Sequence, residues 1–310
     1  MQAVIVRRFG GPDVLELAEL PAPRPGPAQV LIRVAAAAVN RIDLSTRAGR
    51  ITEAGLLAPA PVVALGWDVA GEVAATGAGV TRFAAGDRVI GLRDLLSAPG
   101  TQADEVVLDE TAVAHAPAGV GDAEAAALPL AGLTADRSLE LTGLRGGQTL
   151  LVTGAAGVVG GLVLQLAALR GIRTVAAADA ADEPLLRALG AEHVVARTDR
   201  LGEAVRDLVP GGVDAVIDAA VLGIGAHEAL RGCGVFVALV APFAPPPLRG
   251  TTVVVQEVYA DGARLAGLAA LAAAGDLTLR VAGTLPLARV AEAHERLAAG
   301  GVRGRLVLVP

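Results

Sequence analysis

Residues 149–166 read TLLVTGAAGVVGGLVLQL. An apolar β-run (Leu150, Leu151, Val152) enters a glycine-studded turn and leaves it as an apolar run with helical spacing, in which Leu162, Val163, Leu166, Ala167 and Leu169 share a face. Gly154, Gly157 and Gly160 fall three apart, and Ala155, Gly157 and Gly160 reproduce the G-x-G-x-x-G spacing with alanine first. Small residues here permit a tight turn and let a pyrophosphate reach the free N–H groups of Val158, Val159 and Gly160 at the helix start, where the helix dipole favours negative charge. The expectation is a nucleotide-binding βα turn holding a nicotinamide dinucleotide. Glycine supplies 39 of 310 residues, so the spacing alone is weak and its flanks carry the reading. The competing account is a tight strand-to-helix connection without a ligand.

Outward from this turn, the chain changes texture. Up to about residue 120, short apolar runs are separated by Gly and Pro: 30–34, 62–65, 69–73, 88–91 and 105–108. From about 123 the pattern alternates. A helical stretch over 123–144 precedes strand 149–153, a helix to about Arg170, strand 174–178, helix 183–189, strand 193–196, helix 201–208, strand 215–217, a helix near 225–231 and strand 235–239. Alternation of this length predicts an α/β fold, a doubly wound parallel Rossmann sheet beside a β-rich unit. The tail returns to strand 281–285, helix 290–298 and strand 305–309, and is expected to fold back on the first unit. The domains are therefore placed at 1–122 with 280–310, and at 123–279. The proline-rich stretch APFAPPPL at 241–248 predicts a loop near the carboxyl edge of the sheet. TTVVVQEV at 251–258 reads equally as a buried strand or as an edge paired between subunits.

Bulk composition removes several classes of function. A formal charge of −6 and a pI of about 5.3 offer no basic patch for nucleic acid. Hydrophobic residues make up 53% but occur in short runs, none near the roughly 20 apolar residues of a membrane span. Cys233 is the only cysteine, so an intrachain disulfide and a cysteine-rich zinc site are ruled out. With no export signal visible in MQAVIVRRFGGPDVLEL, a reducing, cytoplasmic location is expected. Lysine is absent and arginine supplies all 26 positive side chains, a bias of composition rather than chemistry.

The ordered motifs FGGPDVLEL (9–17), VNRIDLSTRAG (39–49), LGWDVAGEV (65–73), GAGVTRFAAGDRV (77–89), EAAALPLAGLTA (124–135), TGAAGVVGG (153–161), LGAEHVV (189–195) and AHERLAAGGVRGRLVL (293–308) span essentially the whole chain. In these the chain resembles the zinc-independent quinone oxidoreductase branch of the medium-chain dehydrogenase/reductase superfamily. The resemblance implies a GroES-like amino-terminal domain, a central Rossmann domain, a cleft between them and, usually, a homodimer through Rossmann edge strands, here near 251–258. In the zinc alcohol dehydrogenases of that superfamily a cysteine ligand stands where Asn40 does and a histidine close to Trp67. Neither is present here, and His115, His193, His227 and His294 lack metal spacing. Simple alcohol oxidation, which needs a Lewis acid, is disfavoured, and no zinc is expected.

A further departure is Ser45, where many quinone and enoyl reductase relatives carry tyrosine; the one tyrosine, Tyr259, is far away in sequence. Asp43 and Arg47 match the family's loop, and either can simply hold it. A quinone or α,β-unsaturated carbonyl suits a site with weak acids only, because its reduction gives a delocalised oxyanion that hydrogen-bond donors stabilise while solvent supplies the proton. Candidate donors are Asn40, Ser45 and Thr46, with Trp67 as a flat wall for substrate or else a core aromatic. On the cofactor side the resemblance points to Thr134, to Leu239, Val240 and Ala241 after the fifth Rossmann strand, and to Arg305, which stands where relatives often have lysine.

Cofactor choice turns on two residues. Asp179 lies 19 beyond Gly160, the spacing of an acid that takes the ribose 2′-hydroxyl of NADH. Aligned on the family pattern, the acid position is Ala178 instead, and Arg197 stands where NADPH-binding relatives carry a residue by the 2′-phosphate. The reading favours NADPH, with NADH the alternative. The expected activity is NADPH-dependent hydride transfer to a quinone or α,β-unsaturated carbonyl of a small apolar molecule. Competing readings are an enoyl reductase on a biosynthetic intermediate and, in another class, a dinucleotide-binding sensor, scaffold or non-redox tailoring protein.

Overall fold

The computed structural model describes residues 1–94, 100–198 and 200–310. They divide into two compact units, Met1–Leu133 with Tyr259–Pro310, and Thr134–Val258.

The first unit opens with β1 (Gln2–Val6), β2 (Glu16–Glu19), β3 (Gln29–Val39), helices α1 (Arg41–Arg47) and α2 (Arg50–Glu53), then β4 (Val63–Ala64), β5 (Asp68–Thr76), β6 (Arg88–Leu92), β7 (Glu105–Asp109), β8 (Val113–His115) and α3 (Asp122–Ala126). β1 lies between β2 and β4 in a small antiparallel sheet. β3 is the long strand of the unit: one edge pairs with β5, while its other edge is shared by β7 along Gln29–Arg33. Alternation along β3 buries Val30, Ile32 and Val34 against Val69, Val73, Val89 and Val106. Two register shifts on β3, between Leu31 and Ile32 and between Val34 and Ala36, carry the strand past its partner and set where Asn40 leaves the sheet.

α4 (Pro129–Thr142) crosses the unit boundary. The stretch expected as one helix over 123–144 is therefore two, with Pro129 at the start of the second. Proline lacks the N–H that a continuing helix would need, but fits a first helical turn.

The second unit holds β9 (Thr149–Thr153), α5 (Val158–Leu169), β10 (Arg173–Ala178), α6 (Glu183–Ala188), β11 (His193–Ala196), α7 (Leu201–Leu208), β12 (Val213–Asp218), α8 (Ile224–His227), β13 (Leu230–Ala238) and β14 (Thr252–Val255). All neighbours are parallel, in the order β11-β10-β9-β12-β13-β14. Numbered within the unit, this is 3-2-1-4-5-6, the order of a dinucleotide fold. Every residue of β9 is buried, as a parallel strand covered on both faces requires.

One expectation fails here. The helix expected near 225–231 is the single turn Ile224–His227, and β13 begins at Leu230, because LRGCGVFVA holds only short polar interruptions before an apolar β-branched run. β14 is shorter than the predicted 251–258 and, among the described residues, is an edge strand with only β13 beside it. The proline-rich segment follows the carboxyl end of β13, as expected, and opens with a short 3-10 turn at Ala241–Phe243.

The chain returns to the first unit with α9 (Gly262–Ala274), β15 (Val281–Pro286), α10 (Val290–Ala299) and β16 (Arg305–Val309). β16 inserts between β15 and the Ala37–Val39 end of β3. The units thus part at 133/134 and 258/259, not at the expected 122/123 and 279/280. The reason is packing on the first unit. α9 docks on β8 so closely that a Cβ on Gly262 would stand 2.4 Å from the Val113 carbonyl oxygen.

Candidate active site and cofactor-binding turn

The turn after β9 has the geometry a diphosphate needs. Gly154 takes φ +59°, and a Cβ on it would stand 3.2 Å from the Ala219 carbonyl carbon. Gly157 is the N-cap of α5, in extended conformation and with no side chain to bond the first turn. Hence the first-turn N–H groups of Val158, Val159 and Gly160 face outward along the helix axis. Gly160 is the closest approach: a Cβ there would meet the Gly154 oxygen at 2.4 Å and the Ala155 Cα at 2.8 Å. Ala155 itself is fully buried. These are the three requirements of the fingerprint: a tight turn, an open first turn and close helix–strand contact. The residues present fit a dinucleotide diphosphate.

A polar belt underneath was not anticipated from sequence. The Thr153 hydroxyl donates to Asp218 Oδ1 at 2.5 Å and accepts the Ala220 N–H at 2.9 Å, while Asp218 also accepts from Leu222 (3.1 Å) and Gly223 (2.8 Å). The belt ties the carboxyl ends of β9 and β12 together and fixes the 219–223 loop, in which Val221 is held at φ +63°. A β-branched residue in that region is strained by about 1–3 kcal/mol, and the two oxygens of Asp218 hold it there. The available signal was an acid and a threonine closing otherwise apolar strands.

At the neighbouring carboxyl ends, Asp179 follows β10 and Arg197 follows β11. Their side chains form an ion pair, Nη2 to Oδ1 at 3.4 Å. After β13, Leu239 is half-buried, and Val240 and Ala241 are exposed. Their carbonyls accept the Phe243 and Ala244 N–H groups, closing the 3-10 turn. Thr134 is buried in α4, and its carbonyl accepts the Ser138 hydroxyl.

In the first unit, Asn40 and Asp43 belong to a buried network. Asn40 caps α1 in extended conformation, and its N–H donates to Asp43 Oδ2 at 2.8 Å, one half of a capping box. The other carboxylate oxygen, Oδ1, accepts the Gly66 N–H at 3.0 Å. Burial pushes the Asp43 carboxyl up to about 7, opposed by those two N–H groups and by Arg93, with Asp68 adding to the rise. With both oxygens held by backbone, Asp43 pins two loops.

Asp68, the first residue of β5, accepts the Asn40 amide Nδ2 at 2.7 Å and the Leu130 N–H at 2.5 Å. Burial raises its carboxyl too, with Arg305, the Leu130 N–H and the Asn40 amide opposing. Asn40 is therefore an amide oriented by a carboxylate, its Oδ1 buried without a hydrogen-bond partner. In LGWDVAGEV the local sequence marks Asp68 for this role only by its adjacency to Trp67.

Ser45 is half-buried on α1. The Thr46 hydroxyl corrects an expectation: it donates to the Ile42 carbonyl at 2.8 Å, the i−4 bond of its own helix, so its one proton is committed. Arg47 joins the Gly10 carbonyl and His294 Nδ1 (3.2 Å), a structural tie. Trp67 is only 6% exposed, and the Arg93 guanidinium lies 5.9 Å from its ring centroid. Arg305 is half-buried at the start of β16, its Nε without a partner. Burial lowers its pKa, opposed by Asp68 and Asp43.

Neither Asn40 nor Trp67 offers a zinc-ligating atom, and among the described residues no group of three or more His, Cys, Asp and Glu is placed to hold a metal ion. No helix among them is long and apolar enough to cross a membrane.

Comparison with known proteins agrees with this geometry. Residues 26–118 match the family "Alcohol dehydrogenase GroES-like domain" and residues 189–308 match "Zinc-binding dehydrogenase". The chain is 34% identical to an Arabidopsis thaliana NADPH-dependent alkenal/one oxidoreductase, over 100% of this chain and 80% of that protein. It is 32% identical to a Pseudomonas aeruginosa quinone oxidoreductase, over 97% of each. The solved quinone oxidoreductase of Coxiella burnetii superposes with a TM-score of 0.88 at 29% identity, covering 100% of this chain and 99% of that one.

Proposed function

The chain belongs to the quinone oxidoreductase branch of the medium-chain dehydrogenase/reductase superfamily, and from that premise we propose that it is an NADPH-dependent, zinc-independent reductase of quinones or α,β-unsaturated carbonyls. The observation that carries the proposal is the Gly160 cradle, where a single Cβ would strike the Gly154 oxygen at 2.4 Å. Val158, Val159 and Gly160 hold the diphosphate through their N–H groups. When bound, the dinucleotide supplies a hydride. Asn40, fixed by Asp68, and the Ser45 hydroxyl are the hydrogen-bonding groups offered to the oxygen on which charge develops, and solvent delivers the proton. Zinc independence is supported by the donor set: an amide and an indole stand where metal ligands would be needed. NADPH is favoured by the similarity to an NADPH-dependent alkenal/one oxidoreductase and by Arg197 at the carboxyl end of β11.

The test is steady-state NADPH oxidation with a panel of quinones and enones, after exhaustive chelation. Turnover that survives chelation is the expected result. Cofactor binding without oxidation across the panel favours the sensor or scaffold reading, and no affinity for either dinucleotide by calorimetry overturns both.

A cytoplasmic address and a homodimer belong to the same proposal. β14 is the open edge of the Rossmann sheet, with Val255 exposed on it, and pairing with a second β14 would satisfy its unpaired backbone groups.

A further inference from the structure

The two residues that pull cofactor choice in opposite directions contact one another. β10 and β11 run in parallel with Ala178 opposite Ala196, so Asp179 and Arg197 leave the same edge of the sheet at equivalent heights. The Arg197 N–H donates to the Ala178 carbonyl at 2.9 Å, which fixes the backbone beside the pair. The guanidinium Nη2 stands 3.4 Å from Asp179 Oδ1, with the two side chains 64% and 51% exposed. A loose, solvated pair of this kind contributes little to folding and opens at little cost.

Resting on the dinucleotide reading above, we propose that Asp179 and Arg197 form a displaceable pair in which the carboxylate competes with the 2′-phosphate of NADPH for the guanidinium. A phosphate monoester carries nearly two charges and three acceptor oxygens, so it outcompetes the carboxylate for Arg197, but part of the gain is lost in breaking the pair. Without that phosphate the pair stays closed, and the carboxylate lone pairs that do not face Arg197 accept the ribose hydroxyls. The consequence is a dual-cofactor protein whose preference for NADPH over NADH is within about tenfold, smaller than a free arginine would give.

The adenosine end can be tested apart from redox chemistry by calorimetric titration with adenosine 2′,5′-bisphosphate and with 5′-AMP. Asp179→Asn is expected to tighten the bisphosphate about threefold to tenfold and to weaken 5′-AMP slightly. Arg197→Ala should weaken the bisphosphate about tenfold or more while leaving 5′-AMP within about twofold. In the Arg197→Ala background, Asp179→Asn should change bisphosphate affinity by less than about twofold, because the carboxylate acts through the arginine. The proposal is overturned if Asp179→Asn alone leaves the bisphosphate within about twofold of the parent, or if its gain persists undiminished without Arg197. Either result leaves the reductase reading standing. Failure of NADPH, NADH and both adenosine probes to bind the parent protein overturns the two readings together.

Discussion

At the residue scale, the first unit contains two buried groups whose titrations oppose one another. Asp43 is pushed up to about 7, chiefly by burial, so between the ordinary carboxylate range and pH 7 the folded state holds a proton that the unfolded chain has lost. Its contribution to stability is present at low pH and declines as pH rises through that window, by about 4 kcal/mol in total. Burial raises Asp68 in the same direction. His294 is pushed down to about 3 by burial and by Arg47, so below about 6.5 the unfolded chain is the better proton binder. Its contribution grows as pH rises from about 3 to 6.5 and is complete above that. Burial lowers His227 in the same sense.

The two slopes largely cancel in the parent between about pH 4 and 6.5. Asp43→Asn should therefore uncover a stability that rises over this range in urea titrations, and His294→Asn one that falls. Identical pH profiles for parent and both variants would refute the assignment. None of this was legible in the sequence. Asp43 reads as a loop residue, but the Gly66 N–H and the Arg93 charge that act on its carboxyl are distant in the chain, and His294 has no spacing that marks it for burial beside Arg47.

At the element scale, the βα turn was legible because its demands are local. A strand, three small residues and a helix dictate their own spacing, and the structure places each where the reading put it. The turn makes a sharp prediction. Gly160→Val would drive its side chain into the Gly154 carbonyl and the Ala155 Cα, so dinucleotide affinity should fall at least about a hundredfold in calorimetry, with about 1–3 kcal/mol lost from stability. Affinity within threefold of the parent would refute the cradle. Elements read less well where tertiary packing decides. The one-turn α8 and the two-part helix at 122–142 differ from expectation because apolar periodicity does not reveal where the chain must end one element to pair the next. The Thr153–Asp218 belt likewise joins strands 65 residues apart, beyond the reach of any local pattern.

At the scale of the whole molecule, the parallel sheet and the β-rich unit were readable as textures, and the family resemblance organised them. The boundaries were not, because α9 continues the alanine-leucine texture of the Rossmann helices yet packs on β8. The open edge at β14 gives the prediction proper to this scale. Val255→Pro removes a backbone donor from the outer side of this edge strand, since the Gln256 N–H donates to Ala238 of β13 and donors alternate along a strand, and should convert a dimer to a monomer in sedimentation velocity while retaining dinucleotide binding. A parent that sediments as a monomer would exclude the proposed association.

The placing of β16 has a consequence for how the chain is made. It lies inside the larger sheet of the first unit, between β15 and β3, yet it is synthesised only after all of Thr134–Val258. The dinucleotide unit is contiguous and can fold as soon as its own residues have left the ribosome, whereas the early strands must wait with the Ala37–Val39 flank unpaired. On the nascent chain, that waiting flank is where a chaperone would have its longest opportunity to bind.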